Sequence, residues 1–214
     1  MKTKDRIIQA SLELFNAHGE RNVTTNHIAS HLNISPGNLY YHFRNKEEII
    51  RNIFEKYVQH MEVSFEPVKP SEDAVEFLSN YLDAVFSALF HFSFLYDNLP
   101  VIMARDPELK SQYLEIHNKM MDKINALVLG LQNAEVINID HDDVDDFSNI
   151  IKQQVTFWIS YCKTSQEDTS ITDELIYNGL LKVLLLFKPY VTTEFTDVVK
   201  DLTARYKSLA NVES

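Results

Sequence analysis

Glycine and proline are scarce in this chain, and their scarcity limits the folds that it can adopt. The 214 residues include 4 glycines and 6 prolines. Strand-rich folds need frequent turns built from such residues, so a chain with few of them favours long helices. With 45% hydrophobic residues, the chain can bury a sizeable core. The sequence therefore predicts an all-α protein with one large or two modest domains.

The spacing of apolar residues predicts about ten helices and no strands. Apolar side chains recur every three or four residues along most of the chain, which is the period of a helix with one buried face. Capping residues and prolines suggest where the helices begin. The expected helices cover roughly residues 4–18, 25–32, 36–43, 46–65, 78–96, a short piece after 100, 107–131, 144–162, 175–187 and 194–209.

A break near residue 66 divides the chain into two parts of different charge. Pro67 and Pro70 interrupt the helical pattern there. Residues 1–60 hold 8 Lys and Arg against 6 Asp and Glu, whereas residues 61–214 hold 12 against 25. The acidic part would repel a polyanion, so any contact with nucleic acid is expected from the first 60 residues.

Residues 25–43 predict a helix-turn-helix. Two short helices joined by a tight turn need a small residue in the first helix, a turn former between them and an apolar anchor in the second. Ala29, Asn33 and Leu39 meet these needs in order. Leu39 and Phe43 should define the buried face of the second helix. Its remaining faces would then carry polar and aromatic groups suited to phosphates and base edges, namely Asn38, Tyr40, Tyr41 and His42.

Three segments here resemble the TetR family of bacterial transcriptional regulators: residues 24–29 (TTNHIA), 34–43 (ISPGNLYYHF) and 45–47 (NKE). The resemblance implies a ligand-responsive repressor that binds a palindromic DNA operator as a homodimer. It also implies a helix-turn-helix DNA-binding domain over residues 1–46, a connecting long helix over 47–66, and a ligand-binding and dimerisation domain over 67–214.

The resemblance further implies roles for individual residues. Positions matching those that grip the DNA backbone are Thr25, Tyr40, Tyr41, His42 and Lys46, and positions matching those that meet base edges are Asn26, Ser35, Pro36, Gly37 and Asn38. Two alternatives remain open from the residues themselves. Tyr40 could pack against the first helix, and Lys46 could be an ordinary solvated lysine.

The second domain is rich in aromatic residues, which fill cores but also line apolar ligand pockets between helices. The sequence therefore predicts an unknown small-molecule effector of apolar or amphipathic character. The candidate pocket residues are Phe86, Phe90, Phe94, Tyr113, His117 and Trp158.

Residues 180–187 are apolar on nearly every side, so a helix there needs two neighbours. Packing against its own domain and against a second copy of the chain would bury both faces, and the helix over residues 144–162 would complete a four-helix bundle. The candidate interface residues are Val155, Ile159, Leu181, Leu184 and Leu185.

Other classes of protein fit the sequence poorly. The longest apolar run is too short to span a membrane, and the chain opens without a hydrophobic signal core, which predicts a cytoplasmic protein. Cys162 is the single cysteine. Because nucleophile, phosphate-loop and metal-ligand motifs are missing, we expect no enzyme activity, cofactor or metal. The alternative function is a helical small-molecule-binding or scaffold protein with a vestigial helix-turn-helix.

Overall fold

The computed structural model of the protein describes residues 2–64, 74–165, 167 and 170–211. Over these residues the chain forms ten α-helices, and extended pairing is limited to one isolated bridge between Ile137 and Val191. The helices are α1 (Thr3–His18), α2 (Thr25–His31), α3 (Pro36–His42), α4 (Lys46–Ser64), α5 (Ala74–His91), α6 (Ser93–Arg105), α7 (Pro107–Asn133), α8 (Val144–Ser165), α9 (Asp173–Phe187) and α10 (Thr196–Ala210). The prediction of an all-α fold is confirmed.

The ends of the short helices α2 and α3 are set by local side chains. The Thr24 hydroxyl accepts the His27 backbone N–H at 3.2 Å, and the Ser35 hydroxyl accepts the Asn38 N–H at 3.1 Å. Asn33, in the turn between these helices, has φ +53°. Asparagine tolerates this left-handed conformation better than most residues. Caps and a turn former therefore fix the angle between α2 and α3.

The predicted helix over residues 78–96 is two helices, and this prediction was wrong. The chain bends by 69° between α5 and α6, at Phe92. Asn16 on α1 satisfies the backbone groups that the bend frees, because its amide donates to the His91 carbonyl at 2.8 Å and its carbonyl accepts the Phe94 N–H at 3.1 Å. A contact across 75 residues thus stabilises a break that local spacing did not indicate.

The short helix that the sequence predicted after residue 100 is not separate. It is part of α6, which runs from Ser93 to Arg105. Pro100 lies inside it, and the non-helical backbone is at Asn98, with φ −129° and ψ 20°. Proline disfavours helical geometry in the residues before it and cannot donate a backbone hydrogen bond, so the kink lies just N-terminal to it.

Helices α8 and α9 approach each other closely at Gly179. A Cβ at this position would lie 2.6 Å from Cδ1 of the Trp158 indole, so only glycine leaves room for the ring. The indole Nε1 donates to the Leu175 carbonyl at 2.7 Å. Trp158 is therefore fixed between these helices.

The predicted boundary near residue 66 lies outside the described residues. Within the described residues, no single helix is both long and apolar enough to cross a membrane, and only the bent pair α5 and α6 meets that test together.

Candidate nucleic-acid interface and internal cavity

Helix α3 buries the two residues predicted to anchor it and exposes much of the remainder. Leu39 and Phe43 are 0% and 1% exposed. Tyr40 and Tyr41 are 51% and 85% exposed. The half-buried His42 ring meets the Tyr41 ring edge-on, with 5.1 Å between centroids. The residues expected to face bases are also exposed, namely Asn26, Ser35, Pro36, Gly37 and Asn38.

Tyr40 is held by α2 rather than by α1. Its hydroxyl lies 3.0 Å from the hydroxyl of the half-buried Thr25, and either group could donate the hydrogen bond. This contact orients Tyr40 without burying it. The two hydroxyls form one polar patch on the surface that α2 and α3 share.

Lys46 occupies a different environment from the one predicted. Its ammonium lies 2.7 Å from the Glu20 carboxylate and donates to the carbonyls of Glu20 and Val23 at 2.9 and 3.2 Å. The Lys46 side chain is 19% exposed. Its donors are therefore engaged inside the protein, and a phosphate contact would have to compete with a buried carboxylate.

Glu20 links the start of α4 to the end of α6. Its side chain is 0% exposed, and its other carboxylate oxygen accepts Arg105 Nη2 of α6 at 2.8 Å. Burial alone would raise the pKa of Glu20, but the hydrogen bonds and charges of Lys46 and Arg105 outweigh it, so the pKa lies below 4.5. Sequence spacing gave no sign of this network, because its three members are far apart in the chain.

A second ion-pair cluster joins α4 to α7. Arg51 Nε lies 2.6 Å from Asp106 Oδ2, and Arg51 also pairs with Glu108. The other Asp106 carboxylate oxygen caps α7 by accepting the Glu108 and Leu109 N–H groups, both at 3.1 Å. The N-terminal part of α4 is therefore attached to the start of α7.

A small cavity lies between α4, α5, α6, α7 and α8. Its volume is about 20 Å³, which is about the space needed for one water molecule. Its walls are almost entirely apolar or aromatic, apart from one charged side chain. The lining residues are Met61, Tyr81, Val85, Ala88, Tyr96, Met120, Ile124, Ile151, Lys152 and Val155.

None of the six predicted pocket residues is among those that line this cavity. Phe86 and Phe90 stack on each other near the surface, and Phe86 also stacks on Tyr177 at 4.3 Å. Phe94 of α6 packs against Phe15 of α1, with 5.2 Å between ring centroids.

The other three predicted pocket residues lie elsewhere as well. Trp158 fills the gap above Gly179. Tyr113 and His117 on α7 are half-buried, and their rings are tilted against each other with 6.1 Å between centroids. Burial, followed by the nearby Lys152 charge, lowers the pKa of His117. His117 is therefore close to the cavity lysine without lining the cavity.

The predicted interface residues divide into buried and exposed groups. Ile159 and Leu184 are 0% and 2% exposed, so they belong to the core of one chain. Val155 lines the cavity. Leu181 and Leu185 border a groove of about 710 Å³ between α9 and α10, and Leu185 is 56% exposed. Exposed apolar residues that the prediction missed lie on α8: Ile150, Phe157 and Tyr161.

Two family models match the chain. The model described as "Bacterial regulatory proteins, tetR family" matches residues 7–53, which contain the helix-turn-helix. The model described as "Bacterial transcriptional repressor" matches residues 56–199, more than half of the chain. The protein therefore belongs to the TetR family of bacterial transcriptional regulators, as its sequence motifs indicated.

Individual relatives agree with this assignment. A TetR-family transcriptional regulator from Marinobacter aquaeolei superposes with a TM-score of 0.87 at 38% identity, covering 96% of this chain and 99% of that one. The biofilm operon negative regulator IcaR of Staphylococcus epidermidis is 28% identical, covering 79% and 89%. The fatty acid metabolism regulator protein of Bacillus subtilis is 29% identical, covering 61% and 69%. This chain is thus similar to DNA-binding regulators over most of its length.

Proposed function

We propose that the protein is a cytoplasmic repressor that binds a palindromic DNA operator as a homodimer and releases it when a small effector binds the second domain. The observation that carries the proposal is the geometry of α3. Buried Leu39 and Phe43 leave Asn38, Tyr40 and Tyr41 exposed on its outer surface. An exposed helix of this kind fits the major groove of DNA, with hydroxyls placed for phosphates and an amide placed for base edges.

The proposed division of contacts follows from exposure. Contacts to phosphates would come from Thr25, Tyr40, Tyr41 and His42. The bases would be approached by Asn26, by Asn38 and by the start of α3 at Ser35, Pro36 and Gly37. Lys46 is assigned a supporting role through Glu20, since its ammonium already has three partners.

We expect Asn38→Ala to weaken binding to the preferred operator about tenfold or more, because a side-chain contact to a base edge contributes about 1–3 kcal/mol. Binding to unrelated DNA should change little, since it depends on phosphates. Fluorescence anisotropy with DNA from upstream of the protein's own gene, against random competitor, measures both. The matched control is Asn118→Ala, an exposed asparagine on α7. Equal loss in both variants would contradict base reading by Asn38.

Absence of DNA binding by the wild-type chain would favour the vestigial helix-turn-helix alternative. The relatives are transcriptional regulators, and we assign no catalytic step to the protein.

The dimer is proposed to form through α8 and α9. Ile150, Phe157 and Tyr161 are spaced seven and four residues apart, which places them on one face of α8, and all three are exposed. Leu181 and Leu185 are one turn apart on α9 beside the α9–α10 groove. An apolar surface of this kind is typical of a protein interface.

We expect Leu185→Glu to raise the dimer dissociation constant about a thousandfold. An unpaired charge in an apolar interface costs about 2 kcal/mol, and symmetry places two in each dimer. Analytical ultracentrifugation measures the change. Leu114→Glu is the control, because Leu114 on α7 is similarly exposed, at 50%, but lies on neither proposed interface helix. Unchanged dimerisation of Leu185→Glu would exclude this surface.

The effector is proposed to act through α4. This helix follows α3 after a connection of three residues, 43–45, and its residue Met61 lines the internal cavity. The cavity is about the size of one water molecule, so a larger molecule can enter only if helices move apart. Motion of α4 would change the positions of the two α3 helices in the dimer and so favour the state that does not bind DNA.

A further inference from the structure

Lys152 is a charged side chain buried without a counter-charge. It is 8% exposed and lines the internal cavity. Among the described residues, its ammonium has no hydrogen bond or ion pair, and burial is the only influence on its pKa. The other lysines with buried or half-buried ion pairs, Lys46 and Lys163, each have a carboxylate within 3.0 Å. Lys152 therefore differs from the lysines that stabilise the fold.

A buried charge without a partner is costly, so proteins normally pair it or use it at a functional site. Burial lowers the pKa of Lys152 from 10.5 to about 8. The ammonium form still predominates at neutral pH. The cavity thus presents one positive charge to whatever occupies it.

The other residues that line the cavity indicate the character of the rest of a bound ligand. Val85, Ala88 and Ile124 supply rigid aliphatic surface. Met61 and Met120 lie on the connecting helix α4 and on α7, and methionine side chains repack readily around ligands of different shape. A molecule that matches these walls and Lys152 has a hydrocarbon body and one anionic group. A phosphate dianion would need more donors than one lysine supplies.

We infer that the effector of this protein is an amphipathic carboxylate, whose carboxylate pairs with Lys152 Nζ while its hydrocarbon body separates Met61 of α4 from Met120 of α7. The inference rests on the proposed function, because it names the ligand class of the proposed effector site. Among the residues that line the cavity, Lys152 alone carries a charge, so it is the group that would decide between an acid and its neutral analogue.

The test compares octanoate, decanoate and 4-phenylbutyrate with their methyl esters, each below its critical micelle concentration, by thermal unfolding of the full chain. At least one acid should raise the Tm of the wild-type protein by several degrees, and its ester should not. Lys152→Met should abolish the increase, Lys152→Arg should retain part of it, and Lys110→Met, at an exposed lysine of α7, should retain all of it.

Three results would overturn the inference: no acid raises the wild-type Tm, an ester raises it as much as its acid, or Lys152→Met responds like the wild type. Operator binding by the wild-type protein without ligand is measured on the same samples. If operator binding fails while the acids still stabilise the protein, the proposed function is wrong and the carboxylate site stands. If operator binding holds and the acids have no effect, only the effector class is wrong.

Discussion

Replacing Glu20 by glutamine should lower the free energy of unfolding by about 3 kcal/mol. The Glu20 side chain is 0% exposed and holds Lys46 and Arg105, one on each carboxylate oxygen. Removing one member of a buried ion pair costs about 3–5 kcal/mol because the remaining charge loses its partner. We expect the lower end of that range, since Lys46 and Arg105 retain 19% and 42% exposure and can regain water.

Urea unfolding of Glu20→Gln measures this change, with Glu194→Gln as the matched control at an exposed glutamate. The difference in the free energy of unfolding between the wild type and Glu20→Gln should be largest near neutral pH. Because the folded-state pKa of Glu20 is lowered below 4.5, its stabilising contribution is present above that value and is lost as the pH falls through the folded-state pKa. A difference that is absent at pH 7, or that grows on acidification, would contradict the role assigned to the network.

The same substitution should affect communication between domains. Glu20 precedes α2, Lys46 begins α4 and Arg105 ends α6, so the carboxylate links the helix-turn-helix region to the helices around the proposed effector site. A movement that an effector causes in one region is transmitted to the other only if such contacts join the two regions. In Glu20→Gln we therefore expect operator affinity to depend less on the effector than in the wild type.

Replacing Lys152 by methionine should have the opposite effect on stability and raise the free energy of unfolding by about 3 kcal/mol at pH 7. A folded-state pKa of about 8 against an ordinary 10.5 means that folding disfavours the charged form. Each pKa unit corresponds to about 1.4 kcal/mol. Methionine is similar in length and apolar, so it fills the same space without that cost.

The pH dependence of Lys152→Met provides an independent check. The unfolded chain holds its Lys152 proton up to about pH 10.5, whereas the folded chain releases it from about pH 8. Wild-type stability at this site should therefore rise across that interval, and the advantage of the methionine variant should shrink. Chemical unfolding of both proteins at pH 7 and pH 9 measures this, with Lys110→Met as control. A methionine variant less stable than the wild type at pH 7 would contradict an unpaired charge at Lys152.

The two variants should change the free energy of unfolding in opposite directions, although both should reduce the response to the effector. Glu20→Gln weakens the fold and the link between domains, whereas Lys152→Met strengthens the fold and removes the proposed effector contact. A binding site that lowers the stability of the empty protein is a common cost of function.

The sequence predicted those features that depend on neighbouring residues. The Thr24 and Ser35 hydroxyls cap the helices that follow them by accepting backbone N–H groups three residues further along, and Asn33 forms the turn by its own conformation. The inward positions of Leu39 and Phe43 follow from helical spacing. The surface of α3 could therefore be predicted before the structure was known.

Features that depend on distant residues could not be predicted in this way. The bend at Phe92 is stabilised by Asn16, and the environment of Lys46 is set by Glu20. The predicted pocket favoured aromatic residues by type, but Phe94 packs against α1 and Trp158 against Gly179. The sequence did contain one signal for the cavity lysine. Lys152 lies beside Ile151 among the buried residues of α8, where a charged side chain is unusual.

Selection from random double-stranded DNA by the purified full chain tests the central claim most directly. We expect enrichment of a two-fold symmetric motif whose half-sites are separated by about one helical turn or a multiple of it, and Asn38→Ala should alter the half-site sequence. If the wild-type protein enriches no motif, or if the enriched motif has no two-fold symmetry, the protein does not act as the dimeric operator-binding regulator proposed for it.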